Sequence, residues 1–188
     1  THTVNTMGAT KLLAERLTSA ANYFKGDRRT LFTSVRFGNV LNSRGSIIEL
    51  IKNQIKNRKP VTITEPEMTR FIMSIPEAVK LVMSAAEITK GGEIFILKMP
   101  VFKLKDFIET IVGKEATKNG IDPKKVIIKK IGLRAGEKMH EDLLTIEESD
   151  NTLETKDYFI VLQKINIPQF KKIEKFYPES KKTSKKKY

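Results

Sequence analysis

Short runs of β-branched and aromatic residues alternate along this chain with longer segments of helical period, which points to an α/β architecture with some parallel strand pairing. From Asn5 to Phe24 the apolar positions Leu12, Leu13, Leu17, Ala20, Ala21 and Phe24 recur at helical spacing until Gly26-Asp27 breaks them. Thr30 to Phe37 reads as a buried strand running into Gly38-Asn39. Ser46 and Glu49 form a capping-box pattern that opens a helix reaching about Asn57, before Pro60. Val61-Thr62-Ile63-Thr64 is a short strand. Ser74 caps a helix with Pro76 and Glu77 in its first turn, carrying Val79, Val82 and Ala86 inward with Leu81 flanking, and Gly91-Gly92 ends it. Strands are expected at Glu93–Leu97, Lys125–Lys129 and Asp157–Leu162, and a helix at Leu104–Val112.

Bulk properties remove several function classes. The 188 residues are enough for a real core, and 39% hydrophobic with 30% charged content is ordinary for a globular protein. Zero cysteines exclude disulfides and thiolate metal sites. No run approaches the roughly 18 apolar residues of a membrane span, and Thr1 opens no signal-peptide pattern; a cytoplasmic location is expected. The net charge of +13 suggests nucleic acid, but the segment from Lys171 to Tyr188 holds eight lysines against Glu174 and Glu179, a net of +6. That segment is expected to be a disordered basic tail, touching an anionic membrane surface or RNA only through weak, salt-sensitive contacts. No specific nucleic-acid partner is expected. His2 and His140 stand far apart without a ligand-like cluster, so no metal site is expected. No Walker loop or nucleophile elbow occurs.

Four segments carry groups suited to chemistry. Arg36-Phe37-Gly38-Asn39-Val40-Leu41-Asn42-Ser43-Arg44-Gly45-Ser46 offers a free backbone, a carboxamide and a helix N-terminus that favours anions; a plain strand-to-helix turn explains it equally well. In Pro66-Glu67-Met68-Thr69-Arg70-Phe71 an arginine can fork onto a diphosphate or serve as an ion-pair partner. Gly132-Leu133-Arg134-Ala135-Gly136-Glu137-Lys138 sets an arginine three residues before a carboxylate, a pattern shared with simple exposed turns. Met7 to Lys11 places a lysine in the first turns of a helix, while Met7 cannot exchange a catalytic proton.

In this order the segments resemble the C-terminal half of extended short-chain dehydrogenase/reductases, specifically the polysaccharide-biosynthesis UDP-N-acetylglucosamine 4,6-dehydratases and their epimerase relatives. Asn5-Thr6-Met7-Gly8-Ala9-Thr10-Lys11, Gly91-Gly92-Glu93-Ile94-Phe95 and Glu154-Thr155-Lys156-Asp157-Tyr158-Phe159 extend the likeness over roughly Thr3 to Val161. The resemblance implies a Rossmann domain holding NAD or NADP and a smaller region gripping a UDP-sugar. It implies residues 1–60 as the remainder of the Rossmann-like domain, 61–170 as the UDP-sugar-binding region and 171–188 as the tail. Lys11 would bind the nicotinamide ribose beside Met7, with Arg36 and Gly38 on the cofactor side. Asn39, Ser46, Thr62, Thr64, Arg70, Arg134 and Glu137 would lie along the sugar nucleotide. The implied reaction removes hydride from sugar C4, eliminates water across C5 and C6, and returns the hydride to C6; a 4-epimerase would omit the elimination. The resemblance further implies a homo-oligomer when intact. The phosphate loop and an Asp-Lys pair would precede Thr1, so no turnover is expected from this chain alone.

Overall fold

The first helix forms as α1 (Thr6–Phe24), started by Asn5, whose side chain accepts from Gly8 N at 2.7 Å. Its apolar stripe faces outward, however: Leu13, Leu17 and Phe24 are exposed, while Ser19 and Asn22 are buried. Asn22 earns burial by donating to Phe32 O at 2.9 Å and accepting from Phe32 N at 3.1 Å. The molecule is seen here as a computed structural model that describes residues 3–41, 43, 46–163 and 173–188. The α/β architecture read from the sequence is present.

The chain divides into two interleaved compact units, Thr1–Phe37 with Pro76–Lys98 and Asp142–Tyr188, and Gly38–Ile75 with Met99–Glu141. This differs from a consecutive division at residues 60 and 170. In the first unit β1 (Ser34–Arg36) pairs in parallel with β5 (Ile94–Leu97) after the crossover helix α3 (Ile75–Ile88), which brings the chain back to that unit. Beyond β5 the five-stranded sheet continues antiparallel through β9 (Tyr158–Val161) and β8 (Thr152–Glu154) to the edge strand β10 (Lys181–Lys182). The short helix α5 (Ile146–Ser149) precedes β8 and starts with a complete capping box between Thr145 and Glu148. Helix α3 buries Leu81 and Ala85 against Phe95, Ile160 and Tyr177, leaving Val79 and Val82 outside, the reverse of the expected face.

The basic tail is a structured strap over the residues described, 173–188, rather than a disordered extension. Tyr177 is buried, and β10 pairs with Leu153 and Glu154. Lys186 pairs with Asp150 and Lys187 with Asp142. Lys185 lies 5.6 Å over the Phe159 ring and 5.0 Å over Tyr188. Lys185, Lys186 and Lys187, part of what reads as an unanchored charge run, thus meet acids and ring faces, and Tyr177 and Tyr188 supply aromatic anchors.

In the second unit, β2 (Asn39–Val40) pairs in parallel with β4 (Thr69–Met73), and β4 runs antiparallel to β6 (Val101–Lys103). A separate parallel pair joins β3 (Val61–Ile63) to β7 (Ile128–Lys130), three residues later than the strand expected there. Helices α2 (Ile47–Lys56) and α4 (Leu104–Lys118) cover the pair, burying Ile51, Ile55, Ile108 and Val112 with Val61, Ile63 and Met68.

Candidate functional site

Strand periodicity builds the site. Along β4, Phe71 and Met73 turn into the core, so Arg70 and Ile72 face the other way, into a cavity of about 410 Å³. A cavity of that size suits a small ligand. Asn39, Ser46, Thr62, Thr64, Arg134 and Glu137 line the same cavity, all from the second unit.

The groups differ in how far they are already committed. Arg70 donates to the carbonyls of Thr69 (2.8 Å) and Met139 (3.3 Å) and lies 3.7 Å from Glu137 and 3.4 Å from Glu141. It is fixed in place. Glu137 accepts from Arg134 N at 3.1 Å and from Thr64 Oγ1 at 3.5 Å, so its carboxylate closes the loop on itself. Gly132, at φ +82°, turns that loop where a side chain would be strained, with its N–H bonded to Thr64 O at 3.0 Å. Arg134 is held by its backbone while its exposed guanidinium has no ion-pair partner among the described residues. Thr62 exchanges two hydrogen bonds with the Gln54 amide, at 2.9 and 3.2 Å.

Ser46 is the N-cap of α2, but its hydroxyl makes no cap bond. Ser46 Oγ is buried and has no hydrogen-bond partner among the described residues. This hydroxyl, without a partner among the described residues, stands on the cavity wall at the positive end of a ten-residue helix. Asn42, Arg44 and Gly45 of the same segment lie outside the described residues, as does His2.

Of the groups expected on the cofactor side, Arg36 is placed otherwise. It is buried, and all five of its N–H donors are taken: by both oxygens of Glu15 (2.8 Å each), both oxygens of Glu148 (2.8 and 2.7 Å) and Leu143 O (2.7 Å). Burial works against its charge, but the hydrogen bonds of Glu148 and Glu15 outweigh it and hold the group firmly protonated. No donor is left for a cofactor. Gly38 serves packing: a Cβ there would lie 2.6 Å from Phe71 O. Met7 is 71% exposed on α1, and Lys11 extends from the same helix into solvent.

Sequence reasoning missed the apolar wall formed by Phe102, Leu104, Phe107 and Ile131. The signal was present in Val101-Phe102-Lys103, a β-branched and aromatic run directly before a helix. It also missed Glu141, whose partner Arg70 lies far away in sequence.

The chain matches the family described as polysaccharide biosynthesis protein over residues 1–163. It is 60% identical over 158 residues to a protein of Methanocaldococcus jannaschii described as an uncharacterized membrane protein, covering 84% of this chain and 47% of that one. It is 38% identical over 165 residues to the inverting UDP-N-acetylglucosamine 4,6-dehydratase of Campylobacter jejuni, covering 87% and 46%. Against the UDP-glucose 4-epimerase of Rickettsia bellii it is 39% identical over 156 residues, covering 83% and 44%. Among solved structures, Pen from Bacillus thuringiensis superposes with a TM-score of 0.82 at 46% identity, covering 89% of this chain and 50% of that one. The chain therefore spans about half the length of the curated relatives it matches. Among the described residues no helix is long and apolar enough to cross a membrane. With the ordered segments, the α/β fold and these matches together, the chain belongs to the polysaccharide biosynthesis protein family of extended short-chain dehydrogenase/reductases.

Proposed function

We propose that this chain carries the nucleotide-sugar-binding part of a UDP-N-acetylglucosamine 4,6-dehydratase, with the diphosphate between Arg134 and the N-terminus of α2. The observation that carries the reading is the cavity wall itself: a guanidinium and a buried serine hydroxyl that have no side-chain partner among the described residues, and a fixed second arginine, face one space. Arginine forks match phosphate oxygens, and a helix N-terminus favours their charge. The apolar side formed by Phe102, Phe107 and Ile131 suits a pyrimidine face.

On the cofactor side, a nicotinamide would supply the hydride chemistry when bound. Lys11 is the side chain here suited to holding its ribose, because its ammonium makes no contact among the described residues. Arg36 is not suited, for the reason given above. Met7 can shape that surface but cannot move a proton.

Titration of this chain with UDP, UMP and uridine by calorimetry tests the binding assignment. UDP is expected to bind best, and Arg134→Ala to weaken it by roughly tenfold or more. Equal affinity for UDP and uridine overturns it. The reaction is tested on a protein that also holds the cofactor-binding half: loss of water from UDP-N-acetylglucosamine, seen by mass spectrometry, supports the dehydratase. An isomer of unchanged mass supports the 4-epimerase, the second reading that the Rickettsia relative brings.

A further inference from the structure

Within the first unit, α1 is gripped through buried polar contacts at two heights. Near its C-terminal end Asn22 is locked to the backbone of Phe32. One turn beyond Lys11, Glu15 is gripped through both oxygens by Nε and Nη2 of Arg36. Between and before these grips Leu13, Leu17 and Met7 are exposed and Leu12 is only half-buried, so the fully buried contacts of the helix are polar. Arg36 is itself held from the opposite side by Glu148, and Glu148 is fixed in turn by accepting from Thr145 N at 3.1 Å.

A planar guanidinium with five committed donors has one workable orientation, which a lysine ammonium cannot reproduce. Buried ion clusters of this kind add little net stability compared with apolar packing, yet they fix geometry. Lys11 and Glu15 are four residues apart and share a face of α1. Whatever holds Glu15 therefore also sets where Lys11 points.

We propose that Arg36 is a positioning residue: by clamping Glu15 to Glu148 it sets the rotation and height of the α1 turn that bears Lys11, relative to the end of β1. The use of Lys11 for a nicotinamide ribose rests on the function proposed above; the clamp does not.

Hydrogen–deuterium exchange read by mass spectrometry on this chain tests it. In Arg36→Gln the amides of residues 8–15 are expected to exchange roughly tenfold faster, while residues 19–24 and strands β5 and β9 keep their rates. Arg36→Lys should recover part of the protection, and Glu148→Gln should loosen the same turn to a smaller degree. Uniformly faster exchange across the first unit, or unchanged exchange at residues 8–15, overturns the proposal. Should Arg36→Gln fail to fold, Glu148→Gln, which keeps an acceptor oxygen, decides by the same pattern. Failure of UDP to bind would sink the function reading and leave the exchange result standing.

Discussion

The Tyr177 hydroxyl donates a 2.7 Å hydrogen bond to Glu93, a carboxylate only 1% exposed. Thr89 Oγ1 and the amides of Lys90 and Gly91 complete its shell at 2.8 Å each. Burial, and then the bond to Glu93, push the phenol well above its ordinary range. Tyr177→Phe should cost about 1–3 kcal/mol and lower the melting temperature by roughly 2–4 °C for each of them. Thermal denaturation followed by circular dichroism gives the answer, and an unchanged melt would show that the strap is not anchored here.

Acid should open the Arg36 clamp. Burial raises the Glu148 carboxyl, but its hydrogen bonds to Arg36 prevail and bring it from 4.5 to about 2. A carboxylate lowered in the folded state contributes stability that is fully present above the unfolded value and lost as pH falls through the folded one. The urea midpoint is expected to drop between pH 4.5 and about 2, with that part of the drop absent in Glu148→Gln. Parallel pH curves for the two proteins would count against the assignment.

Ser46→Ala should separate stability from binding. Removing a buried hydroxyl that has no partner among the described residues should leave the free protein as stable or slightly more so. If that hydroxyl meets a phosphate, the same change weakens UDP by roughly threefold to tenfold. Melting curves and calorimetry on one preparation check both signs; weaker folding with unchanged UDP affinity would reverse the assignment.

Gly38→Ala should damage the second unit. The added Cβ would meet Phe71 O at 2.6 Å and Phe71 C at 2.8 Å, atoms of the β4 backbone that cannot swing away. A cost of about 1–3 kcal/mol is expected, together with weaker UDP binding, because Arg70 is the neighbour of Phe71 on that strand. Chemical denaturation and the UDP titration measure the two effects.

The sequence made element types legible more readily than it made faces or ends. Periodicity located α1 and α3, but each helix carries apolar residues on more than one side. In α3, Leu81 and Ala85 compete with Val79 and Val82, and tertiary pairing chose between them. Thr30–Phe37 has strand propensity throughout, yet only Ser34–Arg36 pairs, because Ile94–Ile96 is the partner it meets. In the site, glycines and arginines stood out by type. The Arg36 clamp did not, since Glu15 and Glu148 look like any surface acids until the fold surrounds them.

The interleaving of the two units has a consequence for biosynthesis. A chain emerging from its N-terminus would have every residue of the Gly38–Ile75 and Met99–Glu141 unit in hand while β8, β9 and β10 were still unmade. The unit that lines the cavity can therefore mature first, whereas β5 waits with one side unpaired until Tyr158–Val161 arrives. Ribosome stalling beyond Glu141 would leave a nascent chain with its cavity unit complete and an open sheet edge, the state most in need of a chaperone.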